Sequence, residues 1–204
     1  RVRTRENDEK RVTYPALLCM ERVATLRFPG IFSKPGDVTV WNAAALGAEP
    51  DRVFFTSGGT EADNWAILSA AERLGKRGRH IITTAVEHHA VLHPMQKLEA
   101  KGFEVTYLQP DHDGNITVEE LKKALRPDTI LVSVMMVNNE TGAVMPIADM
   151  VKATRRAAPL ALFHTDAVQG FLKVPFRART LGADMISVSG HKIHASKGVG
   201  ALYI

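Results

Sequence analysis

From about residue 43 to the end of the 204-residue chain, short apolar runs alternate with stretches of helical periodicity, and this constrains the fold more than any other property. The apolar runs predict strands over 52–56, 81–84, 103–108, 129–136, 160–164, 184–188 and 199–204. Between them, helical spacing predicts helices ending near Leu74, Ala100, Leu125 and Ala157. Thr117 with Glu120 three residues on forms a capping-box pattern, and Pro146 suits the first turn of the helix it precedes. Asp113-Gly114-Asn115 supplies a turn. Strands apolar along their whole length are covered on both faces, so the expected fold is α/β, a three-layer α/β/α arrangement around a mainly parallel sheet. The last run, 199–204, is expected to leave a sheet face or edge uncovered.

Residues 1–42 do not join this pattern. They hold Pro15, Pro29, Pro35, Gly30 and Gly36 without sustained periodicity and are expected to be irregular or disordered, which leaves 43–204 as the domain. The net charge of +4 is largely local, because Arg1, Arg3, Arg5, Lys10 and Arg11 crowd the start. Elsewhere acids and bases alternate on helical faces, the pattern of a solvated surface and not of a nucleic-acid footprint. A lone cysteine, Cys19, permits no disulfide within the chain and points to a reducing compartment. No apolar run approaches a membrane span, and 14–20 is too short and interrupted for a secretory core, so the expected location is cytoplasmic, without membrane or nucleic-acid partners.

Ligands of mainly parallel sheets bind beyond the carboxyl ends of the strands, and the conspicuous polar groups of this chain fall there. Ser187-Val188-Ser189-Gly190-His191-Lys192 sets a lysine in a small-residue turn, where an amine can reach an aldehyde; such a lysine is expected in a partly desolvated pocket. Read alone, it is an ordinary surface lysine. Gly58-Gly59-Thr60-Glu61 ends a strand and opens a helix, either as a phosphate cradle at the helix N-terminus or as a plain glycine turn capped by Thr60; no Gly-Lys-Ser/Thr follows, so it is not a P-loop. Asp166 at a strand end can hold a protonated pyridine nitrogen or cap the next turn, and Gln169 one helical turn on would face the same ligand. His88 can stack on an aromatic cofactor or pass protons near neutral pH. His89 and His93 at i and i+4 could ligate a metal, but they lack the Glu of His-Glu-x-x-His and a third ligand in register. Asn138 and Asn139 read equally as turn-formers or, for Asn139, as an amide offered to a ligand oxygen.

Together these segments resemble the cysteine desulfurases, in the class V aminotransferase group of pyridoxal-phosphate enzymes with the fold-type I architecture. The resemblance rests on Phe55-Thr56-Ser57-Gly58-Gly59-Thr60-Glu61-Ala62-Asp63-Asn64, Glu87-His88-His89-Ala90-Val91, Val137-Asn138-Asn139-Glu140-Thr141-Gly142, His164-Thr165-Asp166-Ala167-Val168-Gln169 and the segment ending at Lys192. It covers roughly 43–204, and the Asn-Asn-Glu-Thr-Gly loop is more similar to the branch serving general iron–sulfur assembly.

The resemblance implies a pyridoxal 5'-phosphate-binding large domain and a role for each matching residue. Lys192 would condense with the cofactor aldehyde, Asp166 would pair with the pyridine nitrogen, and Gln169 would bond the phenolic oxygen. His88 would stack on the ring and assist proton transfer, while Gly59, Thr60, Ser189 and His191 would hold the phosphate. Asn139 would sit near the phenolic oxygen and the substrate carboxylate. L-cysteine would be the substrate, a homodimer the full-length state, and an iron–sulfur scaffold or other sulfur-acceptor protein the partner. The family's persulfide cysteine, small domain, substrate-carboxylate arginine and the dimer partner's phosphate contact have no counterpart here, and Cys19 lacks the persulfide cysteine's context. The family's usual N-terminal segment is likewise unmatched in 1–42. Little or no turnover by this chain alone is therefore expected. Another class V enzyme (an aminotransferase or selenocysteine lyase), a catalytically silent scaffold and a zinc module are the alternatives.

Overall fold

The computed structural model describes residues 43–204, so the expectation for 1–42 lies outside the described residues. Seven strands form one sheet: β1 (Val53–Thr56), β2 (His80–Thr84), β3 (Glu104–Leu108), β4 (Thr129–Ser133), β5 (Leu162–Asp166), β6 (Met185–Ser189) and β7 (Gly200–Tyr203). Five helices connect them: α1 (Gly59–Leu74), α2 (His89–Ala100), α3 (Val118–Ala124), α4 (Ile147–Ala157) and the short α5 (Ala178–Leu181). The spatial order is β1-β7-β6-β5-β4-β2-β3. Strands β3, β2, β4, β5 and β6 run parallel, whereas β7 is antiparallel to both neighbours.

Strand alternation builds two cores from one sheet, because successive side chains leave on opposite faces. Ile81, Leu131, Met185 and Leu202 point to one face, under α1 and α2, where Ala62, Ala66, Ile67, Val91, Met95 and Leu98 meet them. Their neighbours Ile82, Val132, Phe163, Ile186 and Ala201 point to the other, under α3 and α4, against Leu121, Ile147, Met150 and Val151. Each of the largest of these side chains contributes about 1.5–3 kcal/mol on burial. The three-layer expectation follows directly from these paired cores.

Helix starts follow the expected chemistry. Thr117 Oγ1 accepts from the Glu120 amide at 3.1 Å, opening α3, and Pro146 immediately precedes α4. Gly114 takes φ +83°, and its turn is fastened by Asp111 Oδ1, which accepts from the Asp113 and Asn115 amides at 2.9 and 2.8 Å.

The structure corrects two expectations. The last strand is no sheet edge: β7 lies between β1 and β6, and the edges are β1 and β3. Only a 3-10 turn (Gly190–Ile193) and a loop separate β6 from β7, too little chain for the crossover that a parallel pair needs, so β7 runs back beside β6 and closes the gap to β1. The sheet also extends further at one strand, since β5 runs through Asp166, which is thus the strand's own last residue.

Candidate active site

The carboxyl ends of β5 and β6, the start of α1, the start of α2 and the loop after β4 enclose a cleft of ≈ 450 Å³. The nine residues that the resemblance assigns to the cofactor site all line it: Gly59, Thr60, His88, Asn139, Asp166, Gln169, Ser189, His191 and Lys192. Asp63, Ala90, Met135, Val137, Glu140 and Val168 complete the wall.

The α1 corner is shaped by close approach. A Cβ on Gly59 would stand 2.6 Å from Val168 Cγ2, so only glycine lets α1 begin against the Asp166 turn. A Cβ on Gly200 would lie 2.7 Å from the Gly58 backbone, which fixes the same corner from the β7 side. No side chain caps α1; instead Glu61 reaches back to the Ser57 amide at 2.5 Å. The first amides of α1 therefore keep their donor capacity, and with the helix dipole they offer an anion site at the cleft wall.

Asp166 fulfils both of its readings at once. Its Oδ1 accepts from the Val168 amide at 2.8 Å, which caps the turn after β5, while the side chain lines the cleft. Burial, reinforced by the Asp63 charge and only partly offset by the Val168 amide, pushes its carboxyl up to about 8. Both causes favour the protonated form of Asp166. Gln169 follows in a tight turn closed by Phe171 N to Ala167 O at 2.7 Å, and its Oε1 accepts from Lys173 at 3.1 Å.

His88 is the residue before α2, and its Nδ1 accepts from the Ala90 amide at 3.1 Å. That bond assigns the ring proton to Nε2 and fixes the ring plane at the cleft wall. Ser189 Oγ and His191 Nδ1 lie 2.8 Å apart across the turn after β6. Lys192 sits in that turn and lines the cleft, but it is exposed, not held in the partly desolvated pocket expected for an amine nucleophile. Among the described residues nothing covers its outer side.

Two asparagines that the sequence left equivalent are separated by their contacts. Asn138 is buried and structural: its Oδ1 accepts from the Glu140 and Thr141 amides, both at 2.9 Å, and its Nδ2 donates to Val86 O at 3.0 Å. Asn139 is exposed and lines the cleft, and among the described residues its side chain hydrogen-bonds only to Glu140 Oε1, at 2.6 Å. His89 and His93 stack edge-on at 5.2 Å on the surface, and no third ligand joins them among the described residues.

Sequence reasoning passed over three buried groups: Asp63, which lines the cleft, and Glu87 and His164, which do not. Glu87 Oε1 accepts from Met135 N at 2.8 Å and Thr84 Oγ1 at 2.9 Å, while Oε2 has no partner. Burial, with smaller contributions from the Asp166 and Asp63 charges and opposed by the Met135 amide and Thr84 hydroxyl, raises its carboxyl well above the usual range. A legible signal existed for Asp63: it is an acid inside the stripe Ala62, Ala66, Ile67, Ala70 that α1 turns to the sheet.

Comparison with known proteins gives this cleft a family. The class-V aminotransferase family pattern matches residues 42–204. The chain belongs to the class-V aminotransferase family. Members of this family depend on pyridoxal 5'-phosphate. Cysteine desulfurase IscS of Dictyoglomus turgidum is 51% identical over 162 residues, covering 79% of this chain and 41% of that protein. Its namesake in Methanosarcina thermophila is 49% identical over 162 residues, with 79% and 40% covered. The chain thus spans about two-fifths of the length of these curated relatives. Among solved structures, a NifS-like protein superposes with TM-score 0.79 at 38% identity, covering 98% of this chain and 56% of that one. A structure of SspA in complex with cysteine gives 0.76 at 35% identity, covering 94% and 58%.

The residues present suit this family's cofactor. The uncapped start of α1 and the Ser189–His191 pair supply donors for a phosphate, and Asp166 supplies a buried acid for a ring nitrogen on the cleft that Lys192 also lines.

Proposed function

We propose that residues 43–204 are the pyridoxal 5'-phosphate-binding large domain of a cysteine desulfurase, the enzyme that converts L-cysteine to L-alanine and passes the sulfur to an enzyme cysteine as a persulfide. The observation that carries this reading is the placement of Lys192 and Asp166 on one cleft, with the α1 amides beside them. The names of the curated relatives, and the cysteine held by SspA, support the substrate.

Bound in this cleft, pyridoxal 5'-phosphate supplies an aldehyde that captures amines and a protonated ring that draws electron density from the substrate's α-carbon. The chain's part is to hold and orient. Gly59, Thr60, Ser189 and His191 offer donors to the phosphate, Asp166 holds a proton at the ring nitrogen, and Gln169 offers its amide to the phenolic oxygen. Lys192 provides the capturing amine. His88 stacks on the ring and, with its proton on Nε2, assists proton transfer. Asn139 offers its amide toward the substrate carboxylate. The sulfur acceptor is a cysteine outside 43–204; Cys19, the chain's one cysteine, lies outside the described residues. A homodimer, a cytoplasmic location and delivery of sulfur to an iron–sulfur scaffold or other acceptor protein complete the proposal. No helix among the described residues is long and apolar enough to cross a membrane.

The test is capture of the cofactor by the purified chain. Pyridoxal 5'-phosphate added to the protein should give a visible band, and borohydride reduction followed by peptide mapping should place the pyridoxyl group on Lys192. Lys192→Ala, which removes no side-chain hydrogen bond among the described residues, should lose the band with unchanged thermal stability. Labelling spread over surface lysines, with none on Lys192, would refute the assignment.

A further inference from the structure

Helix α2 carries a buried proline, Pro94, in its interior. Proline has no N–H, so the carbonyl four residues earlier, that of Ala90, receives no bond from position 94 of its own helix. A buried carbonyl without a donor costs free energy. The donor comes instead from the neighbouring helix: Asn64 Nδ2 in α1 reaches Ala90 O at 3.1 Å, from 26 residues away in sequence. The same nitrogen donates to Thr60 O, one turn back in α1, at 2.9 Å. A carboxamide nitrogen carries two protons, so both bonds form together.

Both ends of this joint reach the cleft. Ala90 lines it, and the Ala90 N–H is the donor that fixes the His88 ring through Nδ1. Thr60 lines it from the first turn of α1, beside Gly59. Further along, the two helices share one apolar core, with Ala66 and Ile67 from α1 and Val91 and Met95 from α2. Such contacts are non-directional, whereas a hydrogen bond weakens steeply off line and so limits how far one helix slides along the other. Among the described residues, no other hydrogen bond or ion pair joins α1 to α2.

We propose that Asn64 is a positioning residue for His88: by supplying the donor that Pro94 withholds from Ala90, it holds the start of α2 at a set height on α1 and so sets the separation between the Thr60 corner and the His88 ring. A ligand held at its phosphate by the one and at its ring by the other then meets a cleft of fixed span. The joint does not depend on what fills the cleft; its part in binding rests on the cofactor reading above.

The test begins with a thermal-denaturation cycle on the cofactor-free 204-residue chain. Asn64→Ala leaves the Ala90 carbonyl without its donor in the parent, whereas in a Pro94→Ala background residue 94 supplies one. Alanine's gain in helix propensity at 64 is the same in both, so the difference isolates the carbonyl. Asn64→Ala should lower Tm by at least roughly 2 °C more in the parent than in Pro94→Ala; equal changes, or a variant that folds in neither background, overturn the proposal. By NMR, the His88 ring signals should move in Asn64→Ala and stay in place in Thr117→Ala, which loses the cap of α3 instead. Ring signals that ignore Asn64→Ala overturn the positioning role. Capture of pyridoxal 5'-phosphate, followed by its visible band, should weaken about tenfold in Asn64→Ala. Inorganic phosphate, followed by the amide signals of Gly59 and Thr60, should bind within about twofold of the parent. Equal weakening of both ligands, or of neither, overturns the role in binding. A parent chain that captures no pyridoxal 5'-phosphate sinks the cofactor reading, and the joint is then decided by the cycle and the His88 signals.

Discussion

Gly59→Ala is the sharpest probe of how the cleft is built, because its effect should change sign with one neighbour. The new Cβ would lie 2.6 Å from Val168 Cγ2, and the next atoms are Ser189 Cβ at 3.5 Å and Val168 Cβ at 3.9 Å. Valine is branched at Cβ and stiff about χ1, so the methyl cannot swing aside freely. Overpacking of this kind costs about 1–3 kcal/mol. Against it stands the entropy that alanine removes from the unfolded chain, about 0.4–1 kcal/mol in favour of the variant. The net expectation is a loss of about 1–2 kcal/mol, a Tm lower by roughly 2–8 °C at this chain length. In a Val168→Ala background the offending methyl is gone, only ordinary contacts remain, and the same substitution should stabilise by about 0.4–1 kcal/mol. Four proteins and thermal denaturation complete the cycle, with a coupling of at least about 1 kcal/mol. Equal costs for Gly59→Ala in both backgrounds would refute the packing argument. Gly200→Ala supplies the contrast: its Cβ meets Gly58 backbone at 2.7 Å, so no side-chain truncation there should rescue it.

Further outcomes follow from other contacts. Asn138→Ala strands the Glu140 and Thr141 amides and should cost about 1–3 kcal/mol in thermal denaturation, while Asn139→Ala should stay within about 0.5 kcal/mol yet weaken cofactor capture. Glu87 and Asp166 keep protons in the fold that the unfolded chain releases above the ordinary carboxyl range, so the folded state binds more protons and their contribution to stability falls as pH rises toward about 8. Glu87→Gln should flatten the decline in Tm above the ordinary carboxyl range; a steeper decline would contradict a raised Glu87 carboxyl. Leu172 holds φ 60° and is 63% exposed, so Leu172→Gly gives up little packing, removes about 1–2 kcal/mol of backbone strain and should raise Tm slightly.

What was legible in the sequence was the alternation itself and the polar residue at each strand end. All nine nominated side chains reach one cleft because parallel strands point their carboxyl ends the same way, and each nomination was tied to such an end. The antiparallel β7 was missed although the short connection after β6 carried the signal. Strand length was harder to see: Thr165 and Asp166 read as loop because a polar pair ends an apolar run, yet both are buried and extended. Asp63 and His164 were invisible as a pair, since nothing in the order of residues says that α1 crosses β5. Asn138 and Asn139 have identical side chains, and only the reach of Asn138 to Val86, fifty-two residues away, divides their roles.

The backbone holds as units the two turns that line the cleft after β5 and β6. Among the described residues, Leu172 and His194 are the non-glycine residues with positive φ, at 60° and 62°. Leu172 follows the turn that carries Asp166 and Gln169, and His194 immediately follows the 3-10 turn that carries His191 and Lys192. Each departure from the right-handed region costs free energy that a free loop would shed by relaxing. Here both turns are pinned from inside: Phe171 N bonds Ala167 O at 2.7 Å, and Ala195 N bonds Gly190 O at 3.0 Å. Met136 sets a further limit, since a Cβ on Gly170 would meet its Sδ at 2.5 Å. The strain therefore falls where the chain must leave each turn, and the acid and the amine keep their places at the ends of adjacent strands.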